Sequence, residues 1–148
     1  MIQRTQTLFI LIALGLMIAF LFIPFGYAPI LNASGEYVVE PIKALDFTGL
    51  TIPTAVSIVT LFIAFLSFKN LSTQKIFTIV SALISAACIG VVIYVITAGY
   101  VEATPGNIIR SDWGGGGLFL VAAVLAEIAA CLGISSDQRK LRSADRLR

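Results

Sequence analysis

Residues 118–134 read LFLVAAVLAEIAACLGI, and Glu127 is the only charged residue among them. An apolar run of this length predicts a helix that crosses a membrane. An ionised carboxylate in hydrocarbon costs several kcal/mol unless it is paired, protonated or in contact with water. The run therefore predicts an integral membrane protein and makes Glu127 the first candidate functional residue.

Three further apolar runs precede this one and predict the rest of the fold. They cover about residues 7–27, 51–68 and 76–99, so that 118–134 is the fourth span. Of the 148 residues, 58% are hydrophobic and 12% are charged, which is about half the charged fraction of an ordinary soluble domain. We expect an all-α integral membrane protein, a bundle of four transmembrane helices that forms a single membrane domain over residues 1–148.

The connections between these spans carry few structural signals. The outer loop 28–50 contains two prolines and two glycines and is expected to be irregular. The outer loop 100–117 ends in four glycines, which favour a flexible connector over a hinge or a close approach of two backbones. In the tail, 135–148, the helical spacing of apolar residues predicts a short extension of the fourth span; these residues are Leu141, Ala144 and Leu147.

The basic residues predict the orientation of the chain. If both termini are cytoplasmic, only Lys43 and Arg110 lie outside. The remaining basic residues then lie inside, as the positive-inside rule requires; they are Arg4, Lys69, Lys75, Arg139, Lys140, Arg142, Arg146 and Arg148. Arg4 before an apolar run is also how a signal peptide begins. The run is long for one and no Ala-x-Ala follows it, so we expect the first span to be retained.

Small residues predict how the spans pack. The third span has Ser81, Ser85 and Gly90 on one stripe, and the fourth has Ala122, Ala126 and Ala130. Stripes of small residues let helix backbones approach closely within a membrane. We expect the third and fourth spans to form a tight hairpin. The first span is apolar on all sides, which predicts that it faces lipid or a partner.

Glu127 has three candidate hydrogen-bond partners at a similar depth, Ser81, Ser85 and Thr60. One interpretation is a carboxylate that handles protons or cations, or that anchors a basic residue of another subunit. The other is a protonated acid, bonded to serines and used for packing alone. Transporters usually carry several intramembrane polar groups and this chain has one, so the packing interpretation is favoured.

The composition argues against catalysis and against a cofactor. The chain has no histidine, and its two cysteines, Cys88 and Cys131, fall at different depths of their spans. Neither a pair of nucleophile and base nor a set of metal ligands is visible. We therefore expect no enzyme activity, no metal and no cofactor. The single small basic patch, without interleaved aromatics, argues against nucleic-acid binding.

The two ends of the chain carry a resemblance. The opening MIQRTQ and the closing KLRSADRLR resemble those of a family of small bacterial four-span inner-membrane proteins of unassigned function. The resemblance implies location and fold but no reaction. It also suggests that the cytoplasmic ends are the working surface. The candidate docking residues there are Gln3, Arg4, Gln6, Arg142, Asp145 and Arg146.

Two functions remain open from the sequence. The first is a non-enzymatic accessory or scaffold subunit of a larger complex in the cytoplasmic membrane, surrounded by lipid and bound to partner subunits. The alternative is a small homo-oligomeric transporter or channel that uses Glu127. A pore should show more polar residues on the faces of several spans than this chain does, which favours the subunit.

Overall fold

The computed structural model of the protein describes residues 3–31, 34–98 and 112–145. Within these residues four helices are long and apolar enough to cross a membrane, as predicted. The structure is mostly helical, which is consistent with an all-α membrane protein. The helices are α1 (Gln3–Phe22), α2 (Thr48–Leu66), α3 (Leu71–Ala98) and α4 (Gly116–Asp145).

Two of the helices, α3 and α4, are longer than the predicted spans. Asn70 Oδ1 accepts hydrogen bonds from the backbone N–H groups of Ser72 (3.2 Å) and Thr73 (3.3 Å), which caps the start of α3. The predicted extension of the fourth span is confirmed, because α4 continues to Asp145. Good helix formers such as Gln138, Arg139 and Lys140 carry it through the polar tail.

The four helices pack in a closed ring, each against its neighbours along the chain, and α1 closes the ring against α4. This is the arrangement of an up-down-up-down four-helix bundle. The exposure of α1 agrees with the prediction that it mainly faces lipid or a partner, because 28% of its apolar window is buried in the bundle, against 33% for each of the other three helices. The contact of α1 with α4 is the most extensive in the bundle, ahead of the expected α3–α4 contact. A stripe on α1 is buried; it consists of Ile10, Ala13, Met17 and Phe20.

The bundle has two different ends. At the terminal end, α1 and α3 begin and α2 and α4 end. At the hairpin end, a three-stranded antiparallel sheet with the order β2-β1-β3 connects the helices. Its strands are β1 (Gly26–Leu31), β2 (Tyr37–Ile42) and β3 (Asp112–Trp113). The expectation of an irregular loop over 28–50 is therefore wrong.

The strands β1 and β2 form an antiparallel hairpin, because the connection between them is short. Gly26 pairs with Ile42 and Leu31 pairs with Tyr37, and Gly35 in the connecting turn has the positive φ of 81° that glycine tolerates best. A short 3-10 turn over Ala44–Asp46 then leads into α2. Thr51 Oγ1 donates to Ala44 O (2.6 Å), which fixes the turn against the first turns of α2.

The glycine run before α4 is a close approach of two backbones, so the prediction of a flexible connector is wrong. Gly114 N donates to Phe25 O (2.8 Å) and Gly116 N donates to Pro24 O (2.9 Å). A Cβ atom on Gly114 would lie 2.5 Å from Pro24 O, and one on Gly116 would lie 2.5 Å from Ile23 O. The start of α4 is thus held directly against the chain that leaves α1.

This geometry predicts a difference between glycines that are neighbours in sequence. Gly114→Ala and Gly116→Ala should each destabilise the protein by about 1–3 kcal/mol, because the added methyl group overlaps backbone atoms that have no room to move. Gly115→Ala and Gly117→Ala are the matched controls, since a Cβ there meets nothing within 4 Å. Thermal unfolding in detergent measures all four. Equal loss in the two pairs would contradict the close approach.

Candidate functional site

Glu127 lies in the middle of α4, and its side chain is completely buried. Ser81 Oγ donates a hydrogen bond to Glu127 Oε1 over 2.5 Å, and Ser85 Oγ donates to the same oxygen over 3.2 Å. Both serines are on α3, one turn apart, so that they reach one atom of the facing helix. The hydrogen bonds expected between Glu127 and these two serines are therefore present.

A third serine closes the arrangement from α2. Ser57 Oγ lies 2.7 Å from Ser81 Oγ and 3.0 Å from Ser85 Oγ. Four oxygens thus form a closed ring, which we call the carboxyl–serine ring: Glu127 Oε1, Ser81 Oγ, Ser57 Oγ and Ser85 Oγ. Met17 on α1 completes the surroundings, with its Sδ 3.7 Å from Ser85 Oγ. All four helices therefore meet at this site.

Thr60, the third predicted partner, does not take part in the ring. Its hydroxyl donates to Ser57 O in its own helix over 2.8 Å. Ser57, and not Thr60, is the residue of α2 that joins the ring. The signal that could have found it is its position midway between Thr54 and Thr60 on one face of α2. Thr54 itself lies on the same face and contacts Cys88, with Oγ1 and Sγ 3.9 Å apart.

Two buried polar atoms in the described residues have no hydrogen-bond partner, Glu127 Oε2 and Gln74 Nε2. Gln74 belongs to a buried polar stripe on α3, whose members are Gln74, Thr78, Ser81 and Ser85. They are spaced by four, three and four residues, and only the two serines were predicted. Thr78 Oγ1 donates to Gln74 O over 2.8 Å. The polar stripe thus continues from the ring toward the terminal end.

A second buried polar contact joins α1 to α4. Gln6 Nε2 donates to Asp137 Oδ2, and both side chains are buried. Gly133 lies directly beneath, where a Cβ atom would come within 2.9 Å of Gln6 Cγ. The prediction that Gln6 is an exposed docking residue is therefore wrong, because its amide is used inside the bundle.

The other predicted docking residues are placed only in part. Arg142 is exposed on the last turns of α4. The side chains of Gln3, Arg4 and Asp145 and the whole of Arg146 lie outside the described residues. Cys88 and Cys131 are free thiols. The described part of the chain contains no group of three or more His, Cys, Asp or Glu residues that could hold a metal ion.

Four apolar helices around a buried ring of hydroxyls and one carboxyl define a class of protein, a small four-helix membrane protein with a polar centre. Comparison with protein families places the chain more closely. It belongs to the family described as Domain of unknown function (DUF4293), which matches residues 2–147. No curated protein matches the chain.

The carboxyl–serine ring predicts the cost of removing one hydroxyl. Ser81→Ala should destabilise the bundle by about 1–2 kcal/mol, since Ser81 links Glu127 to Ser57 and buried hydrogen bonds in membrane proteins reach such values. Ser136→Ala, at an exposed position of α4, is the control. Unfolding midpoints in detergent compare the two. A Ser81→Ala variant as stable as the control would show that the ring does not hold the helices together.

The Gln6–Asp137 contact predicts non-additive effects. Gln6→Met should cost about 1–3 kcal/mol, because it leaves the buried Asp137 carboxyl without its donor. Combining it with Asp137→Leu should recover most of that loss, since replacing both polar partners by apolar groups is nearly neutral. A double-mutant cycle of unfolding free energies measures the coupling. Additive losses would contradict a direct interaction.

Proposed function

We propose that the protein is a non-enzymatic accessory or scaffold subunit of a larger complex in the bacterial cytoplasmic membrane. The observation that carries this proposal is the end of α4, which extends beyond the bundle as a basic helix. The other three helices offer no comparable projection within the described residues.

The Gln6–Asp137 contact brings α1 and α4 to the same level, so that the ends of the two helices can be compared. Eight residues of α4 follow Asp137 and three residues of α1 precede Gln6, so α4 runs five residues past Gln3. Five helical residues correspond to roughly 8 Å. The end of α4 therefore stands clear of the first described residue of α1.

The side chains on this projection suit an acidic partner. Arg139, Lys140 and Arg142 are exposed, and Leu141 between them is 56% exposed. Asp137, an acid on the same helix whose side chain is described, is buried against Gln6 and not at the surface. A basic helix with one exposed leucine can bind an acidic surface through charge pairing and one apolar contact. The lipid headgroups compete for the same charges.

We place both termini in the cytoplasm. Lys69 and the basic residues of α4 share the terminal end, which the positive-inside rule assigns to the cytoplasm. The hairpin end carries exposed aromatic side chains that suit the opposite membrane–water interface; they are Tyr27, Tyr94 and Trp113. The bacterial inner membrane is the location that the ends of the sequence suggest.

The position of Glu127 favours this proposal over a homo-oligomeric channel. A carboxylate that lines a path between copies of the chain has to face the outside of its own bundle. Glu127 is enclosed instead by α2 and α3 of the same chain. For the same reason it cannot anchor a basic residue from another subunit without opening the bundle.

The test is purification of the tagged full-length protein at native expression level in mild detergent, with the mass and stoichiometry of the complex determined. We expect a partner of fixed stoichiometry. The triple variant Arg139→Gln, Lys140→Gln, Arg142→Gln should lose it, because the charges that pair with the partner are gone. Lys43→Gln, at the hairpin end, is the matched control and should keep it.

These basic residues also influence the orientation of the chain in the membrane. The topology of each variant must therefore be checked by labelling single cysteines from either side of the membrane. Loss of the partner counts only in a variant with unchanged topology. A protein that is purified only as copies of itself, or whose partner survives the triple variant, would overturn the proposal.

A further inference from the structure

The carboxyl–serine ring contains one more short contact than its serines have hydrogens. It has four oxygen–oxygen contacts, between 2.5 and 3.2 Å long. Each hydrogen bond needs one hydrogen, and three hydroxyl groups supply three. A fourth is available only if the carboxyl group of Glu127 carries a proton on Oε1. The longer contact, between Glu127 Oε1 and Ser85 Oγ, then has the carboxyl O–H as its donor, while Ser81 Oγ still donates to Oε1. Ser85 donates to Ser57 and Ser57 to Ser81, so that every oxygen in the ring donates one hydrogen bond and accepts one.

The surroundings of Glu127 agree with a neutral carboxyl group. The spans of α1 and α2 contain no ionisable side chain between residues 5–22 and 48–66. Between residues 76–93 of α3 and 116–136 of α4, the ionisable side chains besides Glu127 are the thiols of Cys88 and Cys131. Lys75 lies in the first turns of α3, at the terminal end, and Asp137 is hydrogen-bonded to Gln6 on α1. The contacts that Glu127 Oε1 receives thus come from hydroxyl groups.

Polar groups surround only one of the two routes from the ring to water. Toward the terminal end, five buried polar residues of the described chain follow the ring: Thr60, Thr78, Gln74, Gln6 and Asp137. Toward the hairpin end there is one, Thr54, beside Cys88. The two unpartnered buried atoms, Glu127 Oε2 and Gln74 Nε2, lie at the ring and on its terminal side. One accepts and the other donates, so both can bind water.

Apolar side chains close the hairpin side. Phe20 and Phe25 are buried there with ring centroids 6.2 Å apart. Aliphatic side chains fill the space around them: Ile42, Ala44, Leu50, Val92, Val95, Ile96, Leu120 and Ala123. A dry region of this kind offers no hydrogen bonds to a water chain.

We propose that Glu127, with Ser57, Ser81 and Ser85, forms a proton-binding site that exchanges its proton with water at the terminal end and not at the hairpin end. Thr78 and Gln74 are positioning residues, since they hold the water that connects the ring to the terminal end. In the exchange, the O–H bond at Glu127 Oε1 breaks as that proton bonds to a water oxygen, and the hydronium so formed returns one of its other protons, a deuteron in D₂O, to the carboxylate. The proposal is independent of the subunit function.

The experiment follows the exchange of this proton for deuterium in the purified full-length protein in lipid nanodiscs. Infrared spectroscopy detects the C=O stretch of a protonated carboxyl group, and that band shifts when water is replaced by D₂O. Glu127→Gln should remove the band, which assigns it. In the unaltered protein we expect one such band to shift after the change to D₂O.

Two buried threonines provide matched variants of nearly the same shape. Thr78→Val, on the terminal side, should slow the shift roughly fivefold to tenfold, because one hydrogen-bonding site along the water route is lost. Thr54→Val, on the hairpin side, should leave the rate unchanged. Gln74→Leu serves as a second terminal-side variant should Thr78→Val fail to fold, which the amide bands of the same spectra reveal.

Three results would overturn the proposal. One is the absence of any protonated-carboxyl band that Glu127→Gln removes. Another is an equal rate of deuterium exchange in the Thr78→Val and Thr54→Val variants. The third is slower exchange in Thr54→Val, which would place the route on the hairpin side.

Discussion

A carboxyl group in the hydrocarbon region must have its polar atoms satisfied inside the protein, and the bundle is arranged around that requirement. Glu127 obtains its hydrogen bonds from α3, and α3 shares them with α2 through Ser57. A ring of this kind constrains the rotation of α2, α3 and α4 about their axes, because a turn of one of these helices removes its oxygen from the ring. Non-directional packing of leucine and isoleucine imposes no comparable constraint.

At both ends of the bundle, away from the ring, glycines allow close contacts that hold α1 and α4 together. Gly114 and Gly116 hold the start of α4 within hydrogen-bond distance of the chain leaving α1, where any side chain would collide. At the other end, Gly133 leaves room for Gln6 to reach Asp137. These contacts explain why α1 and α4, the most distant helices in sequence, form the most extensive interface. Beyond its polar first turns α1 is apolar, and α4 offers it glycine and alanine, which allow a close approach.

The sequence predicts the features that depend on composition and misses those that depend on contact between distant segments. Span number, the burial of Glu127 and its bonds to Ser81 and Ser85 follow from hydropathy and helical spacing. The choice of Ser57 over Thr60 depends on the rotation of α2, which only its neighbours determine. The sheet depends on pairing of 26–31 with residues as distant as 112–113. Four consecutive glycines look alike in sequence, although only Gly114 and Gly116 meet a neighbouring backbone.

Small apolar side chains are the alternative to a carboxyl group at residue 127. Alanines on the same helix show that α4 can pack through small apolar side chains, with Ala123, Ala126 and Ala130 all buried. The carboxyl group instead brings Oε2 into the interior, where no group of the described residues bonds to it. It also demands hydroxyls on two other helices. An apolar residue would avoid both demands, and the proton-binding site proposed above gives a reason for a carboxyl group at this position.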